Sequence, residues 1–216
     1  MDKLTSQFNV TYITLVGHVE LLKYRHLYFV IMFIVYTLIL LCNFTIICLI
    51  MTHRSLREPM YIFIAALLLN SVLFSTVVYP KLLIDFLSDK QVISFSLCAL
   101  QSLFFYSLEG SEFLLLAVMA FDRIVIVLYK SCKEVRMKAV QTCLPHLLVL
   151  ISFSCLCSYD IIIARLKAGL PTTVHFVMTL QVILYHPLFN PVIYGLKMKE
   201  ISKHLMKLFC RRTVNK

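Results

Sequence analysis

From Leu27 to Met51 the chain runs for 25 residues without one charged side chain. As a helix rising about 1.5 Å per residue, that run is about 37 Å long. The hydrocarbon core of a bilayer is about 30 Å thick, so the run is long enough to cross it. Only 15% of all residues are charged and 60% are hydrophobic, where soluble domains carry about 25% charged residues. These observations predict an all-α integral membrane protein.

Four further runs fit the same description. They cover about 60–80, 95–128, 139–159 and 173–195, giving five expected spans in a transmembrane helix bundle over 27–195. The third is long enough to project past the membrane. It carries Glu109, Glu112, Asp122 and Arg123. The fifth carries Pro187 and Pro191, which kink a membrane helix but are tolerated where neighbours satisfy the released carbonyls.

Orientation follows from the basic residues. With five spans, 14 of the 21 Lys and Arg fall on the side of the C-terminus and 7 on the other. The richer side is expected to be cytoplasmic, so residues 1–26 form an extracellular N-terminus and 196–216 lie inside. The net charge of +10 then describes cytoplasmic loops rather than a nucleic-acid surface. Residues 1–26 lack the basic, apolar and small-residue succession of a cleaved leader, so the first span is expected to serve as an uncleaved anchor. Asn9-Val10-Thr11 is a glycosylation sequon on the outer side. After the last span, Leu196, Met198, Ile201, Leu205 and Leu208 alternate with basic residues, the pattern of an amphipathic helix on the inner membrane surface. Cys210 at its end is either a palmitoylation site or an unmodified cysteine.

Some chemistries are disfavoured. The eight cysteines form no CxxC pair, and Cys155 and Cys157 lie within an apolar run, so no metal or cofactor is expected. No nucleophile motif of a hydrolase is present, so an enzyme is not expected. Ionisable residues inside membrane spans mark a use or a partner. Glu109 and Glu112 lie 14 and 11 residues before Arg123, close to whole turns at 3.6 residues each, so the three share a face directed into the bundle. Asp122 and Arg123 taken alone would also fit a pair snorkelling at the membrane edge. Glu109 and Glu112 would likewise suit a small channel or transporter, but there is no repeat symmetry and no pair of broken helices.

Several phrases occur together: "PMYIF" in the second span, "YPKLLIDFLSD" after it, "MAFDR" ending the third, "QTCLPHLL" opening the fourth and "NPVIYGLKMKEI" closing the fifth. Together they resemble the vertebrate odorant receptors, in wording most like the fish-type group, within the rhodopsin-like G-protein-coupled receptors. The resemblance covers most of the chain. It implies an odorant receptor in the plasma membrane that binds a small odorant and activates the olfactory stimulatory G protein. By the same resemblance Asp122, Arg123, Asn190, Pro191 and Tyr194 serve activation and G-protein coupling. Phe105, Tyr106, Glu109 and Gly110 match positions lining the odorant pocket, with plain helix packing as the other reading of the two aromatics. Cys98 matches the cysteine that bonds to the second outer loop. There are departures. Ile124 stands where an aromatic follows the arginine, Cys42 precedes Asn43 where glycine is usual, and Asn70-Ser71 stands where many relatives carry a sodium-binding aspartate.

The largest departure is a join. In the family two helices separate the arginine motif from the "TC" helix. Here only Ile124 to Arg136 does, too few residues for two crossings of about 20 each. The chain is expected to be a seven-helix receptor without its fourth and fifth helices. Removing two crossings preserves the orientation of the rest. It also removes the partner of Cys98 and one wall each of the odorant and G-protein cavities. Signalling is therefore expected to be impaired. The alternative is a non-signalling membrane protein that covers its unpacked faces by oligomerising with full-length receptors.

Overall fold

The computed structural model describes residues 12–14, 24–56, 59–129, 147–152, 154–159 and 172–214, with the single residues 137, 144 and 162. Asn9 lies outside them, as do the side chains of Arg123 and Cys210. The elements run β1 (Tyr12–Thr14), α1 (Arg25–Thr52), a 3-10 turn (Arg54–Leu56), α2 (Pro59–Leu87), β2 (Val92–Ser94) and α3 (Phe95–Tyr129). They continue with α4 (Leu147–Tyr159), α5 (Thr172–Lys197) and α6 (Lys199–Val214).

Three of these helices, Arg25–Thr52, Pro59–Leu87 and Phe95–Asp122, are long and apolar enough to cross a membrane. The fourth expected span, 139–159, lies partly outside the described residues, which give α4 as Leu147–Tyr159. α5 has 26 residues but is more polar, holding His175, Gln181, His186 and Asn190.

α2 is the central helix. In its most apolar window 56% of residues are buried, against 28% in α1 and 22% in α3. It packs on α1, α3 and α5. The outward faces of α1 and α3 stay apolar, as Phe33, Leu41, Leu103, Leu114 and Phe121 show. Side chains of that kind on the outside suit a lipid solvent.

Charged residues end the apolar run of the second span near Pro80, but they do not end the helix. α2 continues to Leu87, because Lys81 pairs with Asp85 one turn on and also donates to Val92 O at 3.2 Å. Arg25 at the start of α1 pairs with Asp89 at 2.6 Å, closing this end. Here β1 pairs antiparallel with β2, Ile13 opposite Ile93. At the other end Pro59 opens α2, a position where the missing N–H costs nothing, and Leu56 plugs the α1–α2 corner with no exposure. α6 was expected only as a surface helix. It also docks: Ile201, with Met198 just before the helix, is buried in the bundle's core. Gly195 sits at this contact, where a Cβ would lie 3.4 Å from the Ile46 and Leu205 side chains.

Candidate functional site

Two apolar clusters fill the bundle. One gathers Met32, Ile39, Phe74, Tyr79, Phe86 and Ile183 toward the β1–β2 end. The other gathers Ile46, Leu56, Leu68, Leu116, Tyr194 and Ile201 toward α6. At or near the level between them stand buried polar residues of four helices: Asn43 in α1, Asn70, Ser71 and Ser75 in α2, Glu112 in α3 and Asn190 in α5.

Nearly all of these groups have partners, as buried polar groups require; among the described residues Asn43 Oδ1 has none. Asn190 Nδ2 donates to Glu112 Oε1 at 2.8 Å and to Ser71 Oγ at 3.0 Å, joining α5, α3 and α2. Asn70 Nδ2 donates to Leu108 O at 3.0 Å. Ser71 and Ser75 donate to carbonyls one turn back. Asn43 Nδ2 donates to Pro187 O at 3.0 Å and to Ile39 O at 2.8 Å. The first of these has a specific cause. Pro191 has no N–H, so the carbonyl four residues earlier, that of Pro187, loses its helical donor. Asn43 supplies the replacement from the neighbouring helix. The carbonyl that proline leaves without a donor in α5 is thereby tied to α1.

The expected site residues divide. Asn190, Pro191 and Tyr194 are all buried in this layer or directly beside it, and Tyr194 belongs to the cluster toward α6. Glu112 does face into the bundle, with 2% exposure. Glu109 turns toward α4 and accepts from Cys157 Sγ at 3.3 Å. Asp122 is half-buried near the end of α3. Phe105 packs on Phe74 with ring centroids 5.1 Å apart, whereas Tyr106 is 70% exposed and a Cβ on Gly110 would touch nothing within 4 Å. Phe105 and Glu109, and likewise Tyr106 and Gly110, are one turn apart on α3, and the two pairs point about 100° from each other. Cys98 is half-buried and, among the described residues, bonded to no other cysteine.

Sequence reading missed Ser71 and Ser75 as parts of the layer. Serines in apolar helices bond to their own backbone, so only the approach of Asn190 marks Ser71 out.

A bundle with apolar outer faces and a polar layer within is a helical, multi-pass membrane protein. The chain belongs to the olfactory receptor family of rhodopsin-like G-protein-coupled receptors: the olfactory receptor family model matches residues 31–133 and 124–212. It is 36% identical to human olfactory receptor 1L8 over 155 residues, 72% of this chain and 48% of that one. To human olfactory receptor 10AG1 it is 37% identical over 127 residues, 59% of this chain and 41% of that one. To chicken olfactory receptor-like protein COR5 it is 41% identical over 114 residues, 53% of this chain and 35% of that one. The chain thus spans less than half the length of these curated relatives.

Proposed function

We propose that the chain is an odorant-receptor bundle that retains the activation residues but does not by itself couple odorant binding to a G protein. One observation carries this reading. The family model matches in two segments that overlap at residues 124–133, and Ile124 to Arg136 are too few residues for the two crossings that the family pattern has at this point. The roles follow the family pattern: Asp122 and Arg123 at the inner end of α3 and Asn190, Pro191 and Tyr194 in α5 for coupling, Phe105, Tyr106, Glu109 and Gly110 for the odorant. The burial of Asn190 and Tyr194 supports a switch role for that pair, and the unpacked outer half of α3 supports the loss of a pocket wall. Expressed with the olfactory stimulatory G protein, the 216-residue chain is expected to raise no cyclic AMP to odorants. A response abolished by Arg123→Ala overturns the proposal.

A second reading is that the chain associates with full-length receptors. It is favoured by the exposed apolar face of α3, where Leu100, Leu103, Phe104 and Leu114 are uncovered and a partner helix could pack. Both readings place the protein in the plasma membrane with the N-terminus outside. The excess of Lys and Arg on the C-terminal side supports this orientation. An epitope tag after Lys216 is expected to bind antibody only in permeabilised cells. Staining of intact cells would reverse the orientation or change the number of spans.

A further inference from the structure

An open groove of about 820 Å³ lies between the inner half of α1 and α6. Its deep end is apolar, formed by Leu40, Leu41, Phe44, Cys48 and Leu49. Its mouth is Thr52, His53, His204 and Lys207. The polarity is therefore sorted along the helix axis. From Leu41 to Thr52 α1 advances about 16 Å at 1.5 Å per residue, close to one leaflet of a hydrocarbon core about 30 Å thick. Thr45 and Thr52 do not spoil the apolar wall, since their hydroxyls donate to Leu41 O at 2.6 Å and Cys48 O at 2.7 Å. Leu41 is 61% exposed, so the groove opens sideways, as a chain entering from the bilayer requires.

The mouth is cationic and held in place. The His53 and His204 rings stand 4.0 Å apart, and His204 Nε2 lies 3.4 Å from Ser55 Oγ, which fixes α6 against the end of α1. Lys207 and Lys203 act on His204 from its own helix, with Glu200 as the acidic neighbour. Partial burial, His53 and Lys207 push the His204 pKa below its ordinary value.

We propose that this groove is a binding site for a phospholipid with an anionic head group from the adjoining leaflet. One acyl chain lies along Leu41, Phe44 and Cys48, and the phosphate sits at Lys207 and the histidine pair. The inference rests on α1 crossing the membrane, but not on odorant binding or coupling. At neutral pH the lowered pKa keeps His204 uncharged, so Lys207 carries the charge. On acidification His204 gains a proton, so retention of the lipid strengthens below its ordinary range near pH 6.5.

The test is native mass spectrometry on the full chain in micelles, supplied with equal amounts of phosphatidylserine and phosphatidylcholine of matched acyl chains. One phosphatidylserine is expected to be retained in preference. Lys207→Glu should lower its retention about fivefold or more, the scale of one basic contact at an anionic surface. Cys48→Trp, which fills the deep end, should lower it too. Lys90→Glu, a similar charge change at the opposite end of the bundle, should not, and circular dichroism checks that each variant keeps its helices. Equal retention of the two lipids, equal loss in the two lysine variants, or a second protein chain seated there instead would overturn the site. A chain found in the aqueous phase rather than in membranes would instead overturn the membrane-crossing reading beneath it.

Discussion

Asn190→Leu is expected to destabilise the bundle and Glu112→Leu to do the same, but the double variant should lose less than the two added together. Asn190 Nδ2 is the donor that joins Glu112 of α3 to Ser71 of α2. Without it, a buried carboxyl loses its 2.8 Å donor, and the bilayer offers no water to replace it. Two magnitudes compete. Hydrogen bonds to charged groups contribute about 1.5–3 kcal/mol, whereas polar contacts between membrane helices average about 0.6 and reach about 1.7 kcal/mol. The membrane figure is the better guide, because a helix separated within lipid can find other partners. Each single change should therefore cost about 0.6–1.7 kcal/mol, measured by reversible unfolding in mixed micelles. Coupling between contacting residues is about 0.5 kcal/mol or more. Strict additivity would show that Asn190 and Glu112 do not act as a pair. Ser71→Ala should cost less than either, because its hydroxyl also donates to Leu67 O within its own helix.

How much of this was legible in the sequence depends on the kind of signal. α1 was legible almost to the residue, 27–51 against Arg25–Thr52, because an uncharged run has only one solution in lipid. α2 was read seven residues short at its far end, since Lys81 and Asp85 interrupt hydropathy without interrupting the backbone. The three-residue strand β1 is too short for periodicity to reveal, and it exists only through its pairing with β2. Glu112 was visible as an ionisable residue in an apolar run. Its partner Asn190, 78 positions away, came from the family pattern and not from spacing. The tie between Asn43 and Pro187 was half legible: proline arithmetic names the carbonyl that loses its donor, but only the packing of α1 on α5 names the group that replaces it. The proposed odorant residues show the limit. Phe105 and Tyr106 are adjacent in sequence, and helix geometry sends one into the core and the other outward.

Inserting a family-like segment of two membrane helices between Tyr129 and Lys133 is expected to convert a silent chain into one that raises cyclic AMP to odorant. On the proposed reading the native chain fails for geometric reasons, not for lack of the reacting groups. Coupling needs an element with two arrangements that both ligand and G protein bias. The residues proposed to set that balance are present, and Asn190 and Tyr194 are held in a packed layer. What the short link denies is travel: Ile124 to Tyr129 belong to α3, and the seven residues 130–136 left reach at most about 25 Å fully extended, enough to join two neighbouring helices but without the family's fifth helix to complete a cavity between them. A pocket must also enclose most of its ligand, whereas Tyr106 and Gly110 face open space. The inserted pair would cover that face and supply the missing side of the cavity together. The response should go from none to measurable and should disappear again with Arg123→Ala. If the extended chain reaches the cell surface and stays silent while Arg123→Ala changes nothing, the activation residues are not competent, and the loss lies in the retained helices instead. If the unextended chain responds as strongly as the extended one, the described bundle is sufficient for coupling and the open face of α3 is a lipid-facing surface only.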